Sequence, residues 1–236
     1  MKVVTVCNQK GGSGKTTYSV LVTLALASRG HKVLAVDTDP QGGLTSFLTD
    51  SSRHDFTVNE WLQGRDLETV TVQREGWTFD MLPANHVFDR VYTGIDHLSI
   101  KRELKYVQGF DYIVFDTPPT MQGITQAAIT VSDYVLVPAD ISRSTIGPTL
   151  YTLERITELE RSGNVFLIGK ELTQDAKSTY WNKLHREFLD QLGQAFTGYI
   201  PKSATLLKAV SDEGTRWTAK KQETFLQPIL ENLGAI

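Results

Sequence analysis

Lys2-Val3-Val4-Thr5-Val6-Cys7-Asn8-Gln9-Lys10-Gly11-Gly12-Ser13-Gly14-Lys15-Thr16-Thr17 joins a β-branched apolar run to a glycine-rich turn. From Lys15 to Arg29 the residues Tyr18, Leu21, Val22 and Ala25 share one helical face, and Gly30 is a stop signal. A second β-branched run, Lys32–Val36, follows at once. Strand, glycine-rich turn, helix and strand in this order make a βαβ unit, the building block of a parallel sheet.

The alternation continues along the chain. Further strands are predicted at Thr78–Leu82, Tyr112–Phe115, Tyr134–Val137, Val165–Ile168 and Phe196–Ile200, several of them continuous apolar runs of the kind buried on both faces. No Pro/Ser-rich linker, internal repeat or low-complexity tract interrupts them. The expected fold is α/β, with a doubly wound, mostly parallel sheet and helices on both faces, forming one domain over residues 1–236. Ser51 to Gly76 is more polar and reads as a peripheral excursion with a short helix around Val58–Leu62.

The 236 residues are 40% hydrophobic and 22% charged, ordinary values for a globular protein with a sizeable core. No window approaches the roughly 18 apolar residues of a membrane span. Intrinsic disorder and integral membrane classes are excluded. Cys7 is the only cysteine, so one chain has neither an internal disulfide nor a cysteine ligand set for zinc or an iron–sulfur cluster. The first apolar run is too short for a signal peptide, and a cytoplasmic location is expected. A net charge of −3 argues against a globally basic nucleic-acid binder.

The glycine-rich turn has the physics of a phosphate cradle. Glycines let successive backbone N–H groups turn inward, the helix N-terminus adds positive potential, and Lys15 places a point charge on the β/γ-phosphates. Thr16 offers a hydroxyl to Mg²⁺. Gly11, Gly12, Ser13, Gly14, Lys15, Thr16 and Thr17 are therefore the candidate nucleotide contacts. The usual pattern G-x-x-x-x-G-K-[ST] asks for glycine at position 9, where this chain has Gln9. A glycine-rich turn without a ligand is the plain alternative, and Gly-Lys-Thr at the helix start argues against it. A dinucleotide-binding turn, with Asp37 as the ribose acid, needs a third glycine where Thr17 stands and gives Lys15 and Thr16 no role.

With its additional lysine at the start, Lys10-Gly11-Gly12-Ser13-Gly14-Lys15-Thr16-Thr17 resembles the deviant Walker A motif of the ParA/MinD group of P-loop ATPases. The resemblance implies a P-loop NTPase fold, hydrolysis of ATP to ADP and phosphate, and ATP and Mg²⁺ as cofactors. It gives catalytic roles to Lys10, reaching across an ATP-bound homodimer to the partner's phosphates, and to Lys15, acting within its own subunit. Asp37-Thr38-Asp39-Pro40-Gln41-Gly42 is similar to the group's first switch, whose second aspartate orients the attacking water; Asp39 takes that role. Asp37 then supports the Mg²⁺ shell or the loop. On its own, Asp-Pro-Gln-Gly is also a good turn sequence, and the two readings are compatible.

Phe110-Asp111-Tyr112-Ile113-Val114-Phe115-Asp116 has the form of a Walker B strand, with Asp116 holding Mg²⁺ directly or through water. Its continuation, Thr117-Pro118-Pro119, resembles the group's second switch. Ile200-Pro201-Lys202 resembles the late I-P-R segment that packs by the adenine, making Pro201 a candidate base contact; a loop proline after a strand is an equally good reading.

No helix-turn-helix stands ahead of the loop, as in the small ParA type. That resemblance implies DNA segregation, in which the ATP-bound dimer coats nucleoid DNA and a centromere-binding, ParB-like adaptor stimulates hydrolysis. Between Lys170 and Lys221 nine basic and six acidic residues give a local balance of +3, leaving −6 for the remainder. Lys177, Lys183, Arg186, Lys202 and Lys208 are the candidate contacts for non-specific DNA. Against this, Lys183 and Arg186 share a helix face with Glu187 and Asp190, a pattern of solvated surface. The alternatives are a ParA-like ATPase that positions a non-DNA protein cargo, a metabolic P-loop enzyme, and a MinD-like membrane ATPase. The membrane reading is disfavoured because Gln222–Leu233 carries acidic charges and Pro228 interrupts it.

Overall fold

The computed structural model describes residues 1–49, 54–74, 76–85, 96–168, 180–200 and 221–234. Val33–Asp37 and Tyr112–Asp116 are buried at every position, and Lys2–Val6 at every position but its first. Strands without an exposed face belong to the interior of a sheet covered on both sides.

In chain order the elements are β1 (Lys2–Val6), α1 (Lys15–Ser28), β2 (Val33–Asp37), α2 (Gly43–Leu48), α3 (Val58–Leu62), β3 (Val70–Arg74), β4 (Trp77–Leu82), α4 (Ser99–Leu104), β5 (Tyr112–Asp116), α5 (Ile124–Val131), β6 (Tyr134–Asp140), α6 (Arg143–Glu158), β7 (Gly163–Ile168), α7 (Tyr180–Leu192), β8 (Phe196–Ile200) and α8 (Gln227–Leu233). The eight described strands form one sheet in the order β3-β4-β2-β5-β1-β6-β7-β8. All neighbours run parallel except β3 and β4. This bears out the doubly wound, mostly parallel expectation. The strand missing from the sequence reading is β3, which lies inside the polar excursion and buries only Val72.

Side-chain alternation along the central strands divides the core. Val4, Val6, Val33, Ala35 and Val114 face α1, α2 and α8, while Val3, Leu34, Val36, Ile113 and Phe115 face α3, α4 and α5. Towards the other edge, Val135, Val137, Val165 and Leu167 pack against Ile156 of α6 and Phe188 and Leu192 of α7. α1 is buried almost all round, from Tyr18 to Ala27, because the sheet lies on one side of it and α8 on the other.

Pro228 does not interrupt the helical backbone: a π-helical turn over Gln222–Leu226 runs directly into α8, whose first turn holds Pro228. Leu226, Ile229, Leu230 and Leu233 of this region are buried in the core that includes α1. Replacing Leu21, which is fully buried in α1, by alanine is expected to cost about 2–5 kcal/mol through lost transfer energy and a residual cavity. A fall in the urea midpoint at constant m-value checks it.

Candidate functional site

The C-terminal ends of β1, β2, β5 and β6 meet along one edge of the sheet, where open α/β folds collect their ligands. The turn after β1 lies there. Gly12 and Gly14 have φ of +72° and +86°, and a Cβ on Gly14 would stand 2.8 Å from Cδ1 of Ile168. Gly14 is thus required both by its left-handed backbone and by the close approach of β7. It caps the N-terminus of α1 without a side chain, leaving the first amides of the helix facing the turn.

Lys15 is 7% exposed and its Nζ donates to the Lys10 carbonyl at 3.2 Å. Burial lowers its pKa, while Asp116 and Asp39 work in the opposite direction. The Nζ of Lys10, half-buried at the loop edge, makes no hydrogen bond or ion pair among the described residues. The Ser13 hydroxyl is buried without a hydrogen-bond partner among the described residues. An orphaned buried hydroxyl inside a turn of free glycine amides fits a loop shaped for an anion.

Asp116, at the end of β5, is fully buried. Thr16 Oγ1 donates to its Oδ2 and Ser19 Oγ to its Oδ1, both at 2.8 Å. Burial pushes the carboxyl up, and the two hydroxyls and Lys15 draw it back down. Thr16 spends its proton on Asp116 and keeps oxygen lone pairs for a cation. This donor set of one hydroxyl and one carboxylate, completed by phosphate oxygens, is what Mg²⁺ takes in nucleotide sites.

Asp37 pairs with Asp116 in the parallel register and is equally buried. Burial and the neighbouring Asp116 raise its pKa. Its oxygens accept the Asp39 N–H at 3.1 Å and both the N–H and Oγ1 of Thr45 at 2.8 Å. These bonds give Asp37 an observed role in holding the loop. Asp39 is half-exposed; its Oδ1 accepts the Gln41 N–H at 2.9 Å, and its Oδ2 makes no hydrogen bond among the described residues. Gly43 sits so close that a Cβ there would lie 3.2 Å from Thr16 Oγ1, which brings this loop onto the phosphate turn.

The structure therefore gathers Lys10 to Thr17, Asp37, Asp39 and Asp116 on one edge. Lys183 and Arg186 lie on α7, where Lys183 pairs with Glu187 at 3.9 Å. Lys177, Pro201, Lys202 and Lys208 lie outside the described residues. Sequence reading missed Asn8, Ser19, Thr45, Thr149 and Thr152, which fix the loops by hydrogen bonds. For Ser19 a signal exists: it stands one helical turn after Thr16 and faces the same way.

Residues 1–167 match the family model described as AAA domain. The chain is 32% identical over 191 residues to the sporulation initiation inhibitor protein Soj of Bacillus subtilis, covering 74% of this chain and 68% of that protein. It is 30% identical over 170 residues to the maintenance of carboxysome distribution protein A of Synechococcus elongatus, covering 67% and 66%. The fold matches the ATP complex of a Cyanothece McdA variant with a TM-score of 0.86 at 22% identity, over 100% of this chain and 97% of that one. Another structural neighbour was solved with an ATP analogue and magnesium.

Ser19→Ala leaves the buried Oδ1 of Asp116 without its donor. The expected loss of unfolding free energy is about 1–3 kcal/mol, read from chemical denaturation without nucleotide.

Proposed function

The chain belongs to the AAA domain family of P-loop ATPases that includes ParA, Soj and MinD, and from that premise we propose a Mg-ATP-dependent partition ATPase for DNA segregation. In this reading the chain dimerises on ATP, binds DNA non-specifically and hydrolyses ATP when a centromere-binding, ParB-like adaptor stimulates it. The observation that carries it is that one edge of the sheet brings together Lys10 and Asp39, whose Nζ and Oδ2 have no partner among the described residues.

The residues divide the work by charge. Gly11, Gly12, Ser13 and Gly14 offer the phosphates neutral donors, Thr17 follows in the first turn of α1, and Lys15 adds a cation against the β/γ oxygens. Thr16 and Asp116 would hold Mg²⁺, which when bound neutralises charge across the same oxygens. Asp37 keeps the loop of Asp39 on station. Asp39 orients the attacking water, and Lys10 extends to the phosphates held by a second copy of the chain.

Support for DNA as the surface comes from the charge balance of +3 between Lys170 and Lys221. Arg186 is an exposed cation of α7, whereas Lys183 already faces Glu187. A membrane is less well supported, since the apolar residues of α8 are buried in the core with α1. No helix among the described residues is long and apolar enough to cross a membrane. The relative named for carboxysome distribution favours a second reading, in which the same ATP cycle positions a protein cargo.

Lys15→Ala is expected to abolish nucleotide binding. Asp39→Ala is expected to keep ATP-driven dimerisation and stall hydrolysis, seen as a dimer by gel filtration with no phosphate release; an ATP-saturated monomer overturns the dimer reading. For the wild type, retention on random-sequence DNA with ATP and its loss with ADP is expected, with log affinity falling linearly with log salt. DNA binding indifferent to the nucleotide overturns the cycle.

A further inference from the structure

A phosphate loop of the usual pattern begins with a glycine where this chain has Gln9. The loop nevertheless closes with ordinary backbone at Gln9: among the described residues Glu160 is the only non-glycine with positive φ. The chain is turned by a side chain instead. Asn8 is fully buried, and its Oδ1 accepts the Lys10 N–H at 2.9 Å, an Asx turn across two residues.

The Asn8 carboxamide is itself held. Its Nδ2 donates to the Pro138 carbonyl of β6 at 3.0 Å and to Thr149 Oγ1 of α6 at 3.2 Å. One turn further along α6, Thr152 Oγ1 accepts the Gln9 N–H at 3.1 Å. Both protons of the amide nitrogen are thereby spent on fixed elements, and its oxygen on Lys10. The carbonyl of Lys10 in turn receives the ammonium of Lys15.

We propose that Asn8 is the positioning residue of the phosphate loop: its Asx turn replaces the missing glycine, and its anchors on β6 and α6 set where Lys10 and Lys15 stand relative to bound phosphates. The proposal rests on the loop holding the nucleotide, and not on dimerisation. It makes α6 part of the loop's frame, with Thr149 acting through Asn8.

The test uses the full chain and a fluorescent ADP analogue with Mg²⁺, so that dimer formation does not enter. Loss of the buried hydrogen bonds in Asn8→Ala is expected to weaken affinity about tenfold, and Thr149→Val about threefold. The double variant is expected to be no weaker than Asn8→Ala, because the two residues form one path. Amide exchange at Lys10 should speed up in Asn8→Ala. A folded Asn8→Ala protein that binds ADP within about twofold of wild type, with only its thermal midpoint lowered, overturns the proposal. So do single effects that simply multiply in the double variant. Should Asn8→Ala fail to fold, Thr149→Val and wild-type exchange decide: unchanged affinity, or a Lys10 amide unprotected in the wild type, overturns it. Wild-type affinity in Lys15→Ala would instead sink the reading of the loop as a nucleotide site, and Lys10 protection would still report on the turn.

Discussion

Two carboxylates, Asp37 and Asp116, end adjacent parallel strands in register, and neither is exposed. Burial pushes both towards the neutral form, and like charge adds to it, from Asp116 on Asp37 and from Asp39 on Asp116. A buried acid is tolerable only when donors surround it. Those donors come from neighbouring segments: Thr16 and Ser19 from the first turns of α1, Thr45 from α2, and the Asp39 amide from the loop between them. The need to satisfy the two acids pulls the phosphate turn and the Asp39 loop onto the same strand ends. Their proximity, with Gly43 against Thr16, follows from that need.

This constraint acts through α1. The helix is fixed at its start by Asp116 and along its length by burial from Tyr18 to Ala27, so it has little room to slide. A left-handed Gly14 is what lets the chain leave the turn and enter a helix already placed by its packing. Adjustment is left to positions such as Gly11, Gly12 and Gln41, which are exposed. A rigid helix behind a turn of exposed glycines is a frame that can accept a ligand with little reorganisation.

Much of this was legible in the sequence, for identifiable reasons. The predicted strands were apolar runs, which two-sided burial demands, and the loop residues lie contiguously in a pattern whose chemistry is local. β3 was not legible, because Val70–Arg74 buries one residue of five and is paired antiparallel with β4 at the sheet's edge. Nor were the roles of Asn8, Thr149 and Thr152. Asn8 lies 141 positions from the threonine it meets, and short polar side chains read as surface until the fold buries them. A pair of buried threonines at i and i+3 on α6 is a weak signal without the partner. The division of labour between Asp37 and Asp39 was likewise closed to the sequence, since it depends on which carboxylate meets Thr45.

The hydrogen-bond pattern separates what holds the site from what remains free to react. Asparagine, serine and threonine side chains and backbone amides fix the loops, each a neutral donor or acceptor whose partner is already in place. The Nζ of Lys10 and the Oδ2 of Asp39 have no such partner among the described residues. On α7, by contrast, Lys183 faces Glu187 across solvent, at exposures of 78% and 52%, where an ion pair contributes little. The open Nζ of Lys10 and Oδ2 of Asp39 are thus carried by loops whose own hydrogen bonds need not break when a charged ligand arrives. A geometry fixed by bonds already in place can stay constant as charge enters and leaves, which suits the proposed nucleotide cycle.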